Sequence, residues 1–268
     1  MRRLLTTVAA TAVLAGVPAA AQAPTAPSYA AGMRLSLGYD GRLIVKVLDV
    51  RINQTLGAGT YRSDVRLVSS GILALFKRLD QRASVVGALS GATANPRVFQ
   101  HRNLNGRAVR ATWTGSDVVT SATPAYSNMG EPPASRPQRL ESIDPLTAAV
   151  RLALTAEGRN PCQQTLRIFD GKQRYNLEMA FAGERAADRR EQRIGLTNTI
   201  NCTLRYREVA GFKAKPPEER NQGLRSVVRV SLGRLGAGGP WVLSSLRAGT
   251  QLGDAVIELR EAQVSYPR

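Results

Sequence analysis

Cysteine and histidine are the residue types in this chain that could ligate a metal or supply a nucleophile and its base, and both are scarce. The 268 residues contain two cysteines, Cys162 and Cys202, and a single histidine, His101. A structural zinc site takes four ligands, so these three residues are too few to build one. No serine stands in the G-x-S-x-G setting of a hydrolase nucleophile, and no spacing indicates a catalytic triad. The sequence therefore predicts no catalytic residue, no metal site and no cofactor, and it leaves the ligand-binding residues unspecified. His101 is expected to be an ordinary polar residue on a strand.

The two cysteines are expected to form a disulfide, because exported proteins with a low and even cysteine count normally pair them. Cys162 and Cys202 lie at the start of two predicted strands, QQTLRIF and CTLRYREV, with the return strand RYNLEMAF between them. In this arrangement the two strand starts lie about 9.6 Å apart, which is two inter-strand spacings. Bonded cysteines need Cα atoms within about 7 Å, so the loop before one strand must curl inward. Free thiols, or redox or metal chemistry, are the alternatives left open.

Residues 1–23 have the three-part pattern of a secretory signal peptide. Two arginines precede an apolar run from Leu4 to Val17, and small residues follow as far as Ala23. The run is shorter than the about 20 residues that span a bilayer. The segment Leu14–Gly16 resembles the start of a lipoprotein signal, but valine stands where that signal needs cysteine. The sequence predicts a periplasmic protein, cleaved near residue 22 or 24 and without a lipid anchor; a retained amphipathic anchor is the alternative.

The chain is strongly basic, with 37 lysines and arginines against 20 acidic residues and a formal charge of +17. Loss of the leader and its two arginines would leave about +15. Such a surface attracts anionic envelope components, for example lipid headgroups, lipopolysaccharide or peptidoglycan carboxylates. Only five of the basic residues are lysines, a bias that a GC-rich genome would produce without selection for a ligand. Fourteen aromatic residues are too few for the stacking surface of single-strand binders, so no nucleic-acid partner is predicted.

Short alternating or β-branched runs, separated by turn residues, dominate the chain from Arg34 onward. Alternation of this kind buries one face of a strand and leaves the other in water. Gly41 separates the first two runs, RLSLGYD and RLIVKVLDVRI. Asn103–Gly106 and Asp170–Gly171 predict hairpin turns, and the glycine-rich segment 233–240 predicts a wide turn. The pattern indicates a mainly β protein with a strongly curved antiparallel sheet or near-barrel.

Two segments break the β pattern and predict helices. In GILALFKRLDQ (71–81) the apolar residues recur at helical spacing, which is typical of a short amphipathic helix. In DPLTAAVRLALTAEG (144–158), Asp144 can cap the helix, Pro145 suits its first position and Gly158 can end it. The second helix is apolar nearly all round, so we expect it to be buried against a concave sheet.

Two further segments are expected to be irregular. The proline-rich excursion near 124–140 is predicted to be a loop between an N-terminal β half and a half that contains the buried helix. The charged run ERAADRREQR (184–193) is expected to be a solvated linker rather than a binding patch. No internal repeat is visible, so we expect a single β-rich periplasmic domain over residues 24–268.

Several stretches, taken in order, resemble one family of bacterial exported proteins. These stretches are Gly59–Tyr61, Asn95–Phe99, Asp144–Thr147, Phe169–Lys172 and the closing segment Cys202–Phe212. They resemble the family called domain of unknown function 3108, and the last of them is similar to its alphaproteobacterial branch. The resemblance covers roughly residues 33–212. It implies an exported β-rich protein without assigned chemistry, and it transfers no catalytic residue.

These observations lead to one leading functional hypothesis and two alternatives. The first is a non-enzymatic periplasmic envelope protein that binds an apolar or amphiphilic, lipid-like ligand in the curved sheet. A curved sheet with an apolar helix forms the kind of pocket that suits lipids, and a basic exterior suits anionic headgroups. The alternative is an envelope-integrity scaffold that acts through protein–protein contacts. A cell-wall hydrolase is the third hypothesis, and it would need two carboxylates at glycosidase separation.

Overall fold

The computed structural model describes residues 32–76, 78–103, 106–156, 158–214, 227–250 and 253–266. The predicted signal peptide, residues 1–23, lies outside these ranges. So do the two central residues of the turn predicted at Asn103–Gly106. Within these ranges the chain forms one thirteen-stranded antiparallel sheet and four short helices. No helix in this part of the chain is long and apolar enough to cross a membrane.

The sheet consists of two meanders joined along β1. The strands are β1 (Arg34–Arg42), β2 (Lys46–Leu56), β3 (Thr60–Ser69), β4 (Asp80–Ser90), β5 (Thr93–Arg102), β6 (Ala108–Trp113), β7 (Val118–Thr123), β8 (Gln164–Phe169), β9 (Arg174–Ala186), β10 (Leu196–Ala210), β11 (Val228–Leu235), β12 (Trp241–Thr250) and β13 (Gly253–Ser265). Their order in the sheet runs from β7 down to β1, continues with β13 and runs down to β8. The mainly β prediction and the hairpin predicted at Asp170–Gly171 are confirmed.

The first turn of the sheet lies beyond the predicted one. Gly41 is part of β1, and the two strands pair as far as Arg42 and Lys46. The turn is therefore Leu43–Val45, in the middle of an apolar run that the sequence pattern assigned to a strand. The turn was predicted at Gly41 because glycine is a typical turn residue, whereas Leu43, Ile44 and Val45 are not.

The helices are α1 (Gly71–Phe76), α2 (Arg136–Leu140), α3 (Pro145–Ala153) and α4 (Arg189–Arg193). The short α1 and the buried α3 were predicted, but α1 ends at Phe76 and Leu75 of its expected apolar face is exposed. Helix α2 was not predicted, because the proline-rich excursion was expected to be a loop. The prediction that α3 extends to Gly158 is wrong. The backbone N–H of Thr155 donates to the carbonyl of Leu152 (3.1 Å), which closes a last tight turn after Ala153.

The charged segment 184–193 is not the solvated linker that was predicted. Its first three residues belong to β9, and α4 follows with Asp188 as its N-cap. Glu191 in α4 is buried and accepts hydrogen bonds from the Arg185 guanidinium (2.6 and 3.0 Å) and from the Ser244 hydroxyl (2.8 Å). The charges of this run therefore tie α4 to β9 and β12.

Helix α3 lies on one face of the sheet and contacts strands of both meanders. Asp144 caps it as predicted, accepting from the backbone N–H groups of Leu146 (2.9 Å) and Thr147 (3.0 Å). The Thr147 hydroxyl donates to the same carboxylate and lies 2.5 Å from the Tyr61 hydroxyl of β3. Its buried apolar partners include Met33, Leu56, Val85 and Phe99. Because α3 contacts β3, β4 and β5 as well as β8 and β12, the sheet must curl around it.

The two outer strands, β7 and β8, do not pair with each other. The chain segment that precedes α3 lies between the two ends of the sheet. Ile143 forms a parallel bridge to β8: its N–H donates to the Arg167 carbonyl (2.9 Å), and its carbonyl accepts from Phe169 (2.8 Å). The indole of Trp113 on β6 donates to the carbonyl of Ser142 (3.1 Å). The result is a curved, open near-barrel.

The predicted disulfide between Cys162 and Cys202 is confirmed, with the two Cα atoms 5.5 Å apart. Cys162 lies in the turn before β8, and this turn curls towards β10 across β9, as expected. Cys202 lies inside β10 and not at its start, since that strand begins earlier, at Leu196. Both cysteines are buried in an apolar cluster with Ile200 and Trp241.

Replacing Asp144 with alanine is expected to lower the free energy of unfolding by about 1–3 kcal/mol, because the change removes a helix cap and the acceptor of the buried Thr147 hydroxyl. Asp144→Asn is the matched control, since asparagine also caps helices. Urea unfolding followed by circular dichroism measures both variants. Equal losses for the two would contradict the capping role.

Replacing Glu191 with glutamine is expected to destabilise the fold in a pH-dependent way. Burial would raise the pKa of Glu191, but hydrogen bonds from Arg185, the Asp188 backbone and Ser244 lower that pKa to about 2. A carboxyl whose pKa is lowered by folding stabilises the protein above its unfolded pKa and loses this contribution as the pH falls through its folded pKa. The loss for Glu191→Gln should be about 1–3 kcal/mol at neutral pH and should shrink between pH 4.5 and about 2. Unfolding curves of both proteins across this range test it, and a constant difference would contradict it.

Candidate anion-binding groove

The face of the sheet opposite α3 carries a groove that crosses β2 to β7. Tyr61, Val85 and Phe99 point towards α3, and side chains alternate along a strand, so their neighbours point to the other face. The groove has a volume of about 650 Å³, which lies within the range of small-molecule sites, roughly 300–1,000 Å³. Its charged lining residues are Asp64, Arg66, Arg82, Arg102 and Arg110.

Strand register aligns arginines of four neighbouring strands. Arg51 of β2 pairs with Arg66 of β3, and Arg66 pairs with Arg82 of β4. Arg102 of β5 lies one residue beyond the last pair between β4 and β5 and is level with Arg82. We call these four residues the arginine row. Their side chains share the face that α3 leaves uncovered.

Arg110 of β6 extends the positive surface into the next row of the same face. It pairs with Gln100 of β5, which pairs with Ser84 of β4. Within the described part of the chain, the side chain of Arg110 forms no hydrogen bond or ion pair with another residue. Its guanidinium, with the polar side chains beside it, is therefore available to a ligand.

Two carboxylates offset part of the charge of the arginine row: Glu261 lies 3.4 Å from Arg51, and Asp80 binds Arg66 and Arg82. Asp80 accepts from Arg66 at 2.9 and 3.1 Å and from Arg82 at 3.3 and 3.4 Å. These hydrogen bonds, that from Arg66 first, lower the pKa of Asp80 to about 2, so it stays ionised at neutral pH. Arg102 has no carboxylate partner among the described residues and donates to the backbone carbonyl of Gly106 (3.2 Å). Positive charge is therefore least compensated around Arg102 and Arg110.

Guanidinium groups recognise phosphate and carboxylate through paired N–H donors. The only carboxylate that lines the groove, Asp64, is engaged by Arg62 at 2.7 Å through both of its oxygens. Each ion contact is weak in a groove open to water, because water and salt screen it. Several arginines must therefore act together, which favours a ligand with a multiply hydrogen-bonding anionic group.

Asp64 and Asp80 do not have the spacing of a glycosidase pair. Asp64 pairs with Ser84, and Asp80 lies four residues from Ser84 along β4. Four residues of a strand span about 13 Å, whereas the two carboxyl groups of glycoside hydrolases lie about 5–9.5 Å apart. Among the residues that the structure describes, no group of three histidine, cysteine, aspartate or glutamate side chains could hold a metal ion.

The residues that the sequence analysis singled out do not come together in one site. His101 borders the groove, but its ring stacks on Phe99 (5.4 Å between centroids) and its Nε2 lies 3.1 Å from the Asp170 carbonyl. The disulfide lies in the other meander. The arginine row was missed because it exists only in the register of four strands; the sequence signal is limited to arginines an even number of residues apart, as in RSDVR (62–66).

Comparison of the chain with protein-family models, with curated proteins and with solved structures finds no match. The resemblance to domain of unknown function 3108 stays a prediction.

Replacing Asp80 with asparagine is expected to strengthen anion binding by about threefold, because Arg66 and Arg82 lose their shared carboxylate. Isothermal titration with inositol hexakisphosphate, a soluble polyanion, measures the affinity. The matched control is Asp254→Asn, which removes a carboxylate paired with Arg247 (3.6 Å) in the other meander. Equal gains for both variants would show a general charge effect and contradict a local site.

Proposed function

We propose that this protein is a non-enzymatic binding protein of the periplasm whose groove holds the anionic headgroup of an amphiphilic envelope component. The observation that carries this proposal is the arginine row together with the unpaired Arg110. Phosphate and carboxylate are the headgroup chemistries that such a surface recognises.

An apolar strip on the same face supports an amphiphilic ligand. Val86 of β4 pairs with Val98 of β5, and Thr112 of β6 connects this pair to Val119 of β7. Val86 lies four residues from Arg82, so alternation places both on one face. Val86 and Val119 are exposed. We call Val86, Val98 and Val119 the valine strip; it offers a surface for an acyl chain whose headgroup lies at the arginines.

The face of the sheet that α3 covers is less suited to the ligand. The concavity that was expected to hold it is lined by α3, and Leu146 and Val150 are buried there against the sheet. A ligand in that place would have to displace the helix that both meanders contact. The groove and the valine strip need no such rearrangement.

Native mass spectrometry of the protein purified from the periplasm tests the proposal first. We expect an adduct that denaturation releases as an acidic amphiphile. A protein that carries no adduct and binds none of the probes below would contradict the proposal.

Binding of short-chain phosphatidic acid tests the role of the arginines. The double variant Arg102→Gln/Arg110→Gln is expected to bind dihexanoyl phosphatidic acid about tenfold more weakly, since two charge-assisted contacts are lost. Arg229→Gln, at an exposed arginine of β11, is the matched control and should bind like the wild type. Unchanged affinity in the double variant would place the site elsewhere.

Val119→Ser distinguishes an amphiphile from a free anion. The substitution should weaken binding of dihexanoyl phosphatidic acid but leave binding of inorganic phosphate unchanged, because only the lipid has a chain to contact the valine strip. Equal affinities of wild type and variant for the lipid would restrict the ligand to its anionic group.

A further inference from the structure

The turn between β1 and β2 exposes three consecutive apolar residues. Leu43, Ile44 and Val45 extend beyond the last strand pair, and their exposed fractions are 38%, 89% and 52%. Turns normally carry glycine, asparagine, aspartate or serine. A run of three exposed apolar residues is unfavourable in water unless it has a function. We call these three residues the apolar tip.

Helix α1 adds another exposed apolar side chain at the same end of the sheet. Its first residue, Gly71, lies so close to β2 that a Cβ atom there would be 2.5 Å from the Lys46 carbonyl oxygen. The N–H of Ser70 donates to the carbonyl of Val47 (2.8 Å), which fixes this start next to the turn. Further along α1, Leu75 is 83% exposed.

Cations exceed carboxylates around the base of the apolar tip. The cations are Arg42, Lys46, Arg78, Arg190 and Arg260, and the carboxylates are Asp40, Asp49 and Glu258, the last of which pairs with Asp40 across β1 and β13 and lies 3.8 Å from Arg190. Asp40 is mostly buried and accepts from three of the cations, whereas Arg78 is exposed and forms no ion pair among the described residues. Arg42 and Lys46, directly beside the tip, keep part of their side chains in solvent.

We propose that the apolar tip inserts into the surface of a phospholipid bilayer that carries anionic headgroups. Apolar side chains next to lysine and arginine are typical of interfacial anchors: the apolar groups enter the acyl boundary, and the cations contact the headgroups. A protein partner fits less well, because a stable interface buries about 800 Å² on each side, more than a three-residue turn and Leu75 offer. The docking does not require an occupied groove, so it goes beyond the proposed function.

Sedimentation with vesicles of equal parts phosphatidylglycerol and phosphatidylcholine tests the docking. The wild-type protein is expected to sediment with these vesicles and to bind pure phosphatidylcholine more weakly. Ile44→Ser should lower the partition coefficient about tenfold. Phe181→Ser removes an exposed apolar side chain from β9 and serves as the matched control, with unchanged partitioning expected. Equal losses for the two variants, or no binding by the wild type, would overturn the proposal.

A fluorescent label reports the insertion itself. Both native cysteines are bonded to each other, so Ile44→Cys supplies a single thiol for an environment-sensitive fluorophore. We expect its emission to shift to the blue when the anionic vesicles are added. The same label at Ala237→Cys, in the turn between β11 and β12 at the opposite end of the sheet, should not respond. A blue shift before vesicles are added would mean that the tip is covered by its own chain or by a second copy, and it would overturn the proposal, as would a response at both positions.

Discussion

The burial of α3 against one face of the sheet is the constraint on which the rest of the structure depends. An antiparallel sheet is stable when one face is covered and the other is wet. Here the cover is a nine-residue helix fixed at its start by Asp144 and Thr147 and in its middle by Val150. Because this helix contacts both meanders, the strands that it holds must curl around it. The side chains that alternate away from it are the ones left to meet a ligand.

The open sheet also has two outer strands whose unpaired backbone would invite aggregation. At β8 this risk is reduced by Ile143, which pairs with the free edge. On the side of β7, the turn between β8 and β9 packs against β6 so closely that Gly171 has no room for a side chain: a Cβ atom would lie 2.6 Å from Val109 Cγ1. Gly171 also has a φ of +97°, a conformation that favours glycine. The chain between β7 and α3, through Ile143, is therefore part of the closure of the near-barrel and not only a connection.

Much of the fold could be predicted from the sequence because its signals are local. Alternation marked the strands, Asp170–Gly171 marked a hairpin, and Asp144 marked the start of α3. The five-residue α2 and α4 are too short to show a helical period, so their segments were taken for a loop and a linker. The apolar tip was hidden for a different reason: Leu43–Val45 have strand composition, and only the pairing of Arg42 with Lys46 shows that the chain turns there. The arginine row needs the register of four strands, which no single strand encodes.

The arginine row and the apolar tip are both features that folding alone would disfavour. Like charges opposite each other weaken a sheet; Asp80 and Glu261 compensate three of the arginines in part, and Arg102 has no carboxylate among the described residues. Exposed apolar turns weaken solubility. Features of this kind are retained where function requires them, at some cost in stability. The two are also placed consistently: Arg51 lies five residues beyond Lys46 along β2, about 17 Å of strand. If both proposals hold, a tip seated in the bilayer surface keeps the arginine groove just above the headgroups, the place where an anionic amphiphile would enter or leave the membrane.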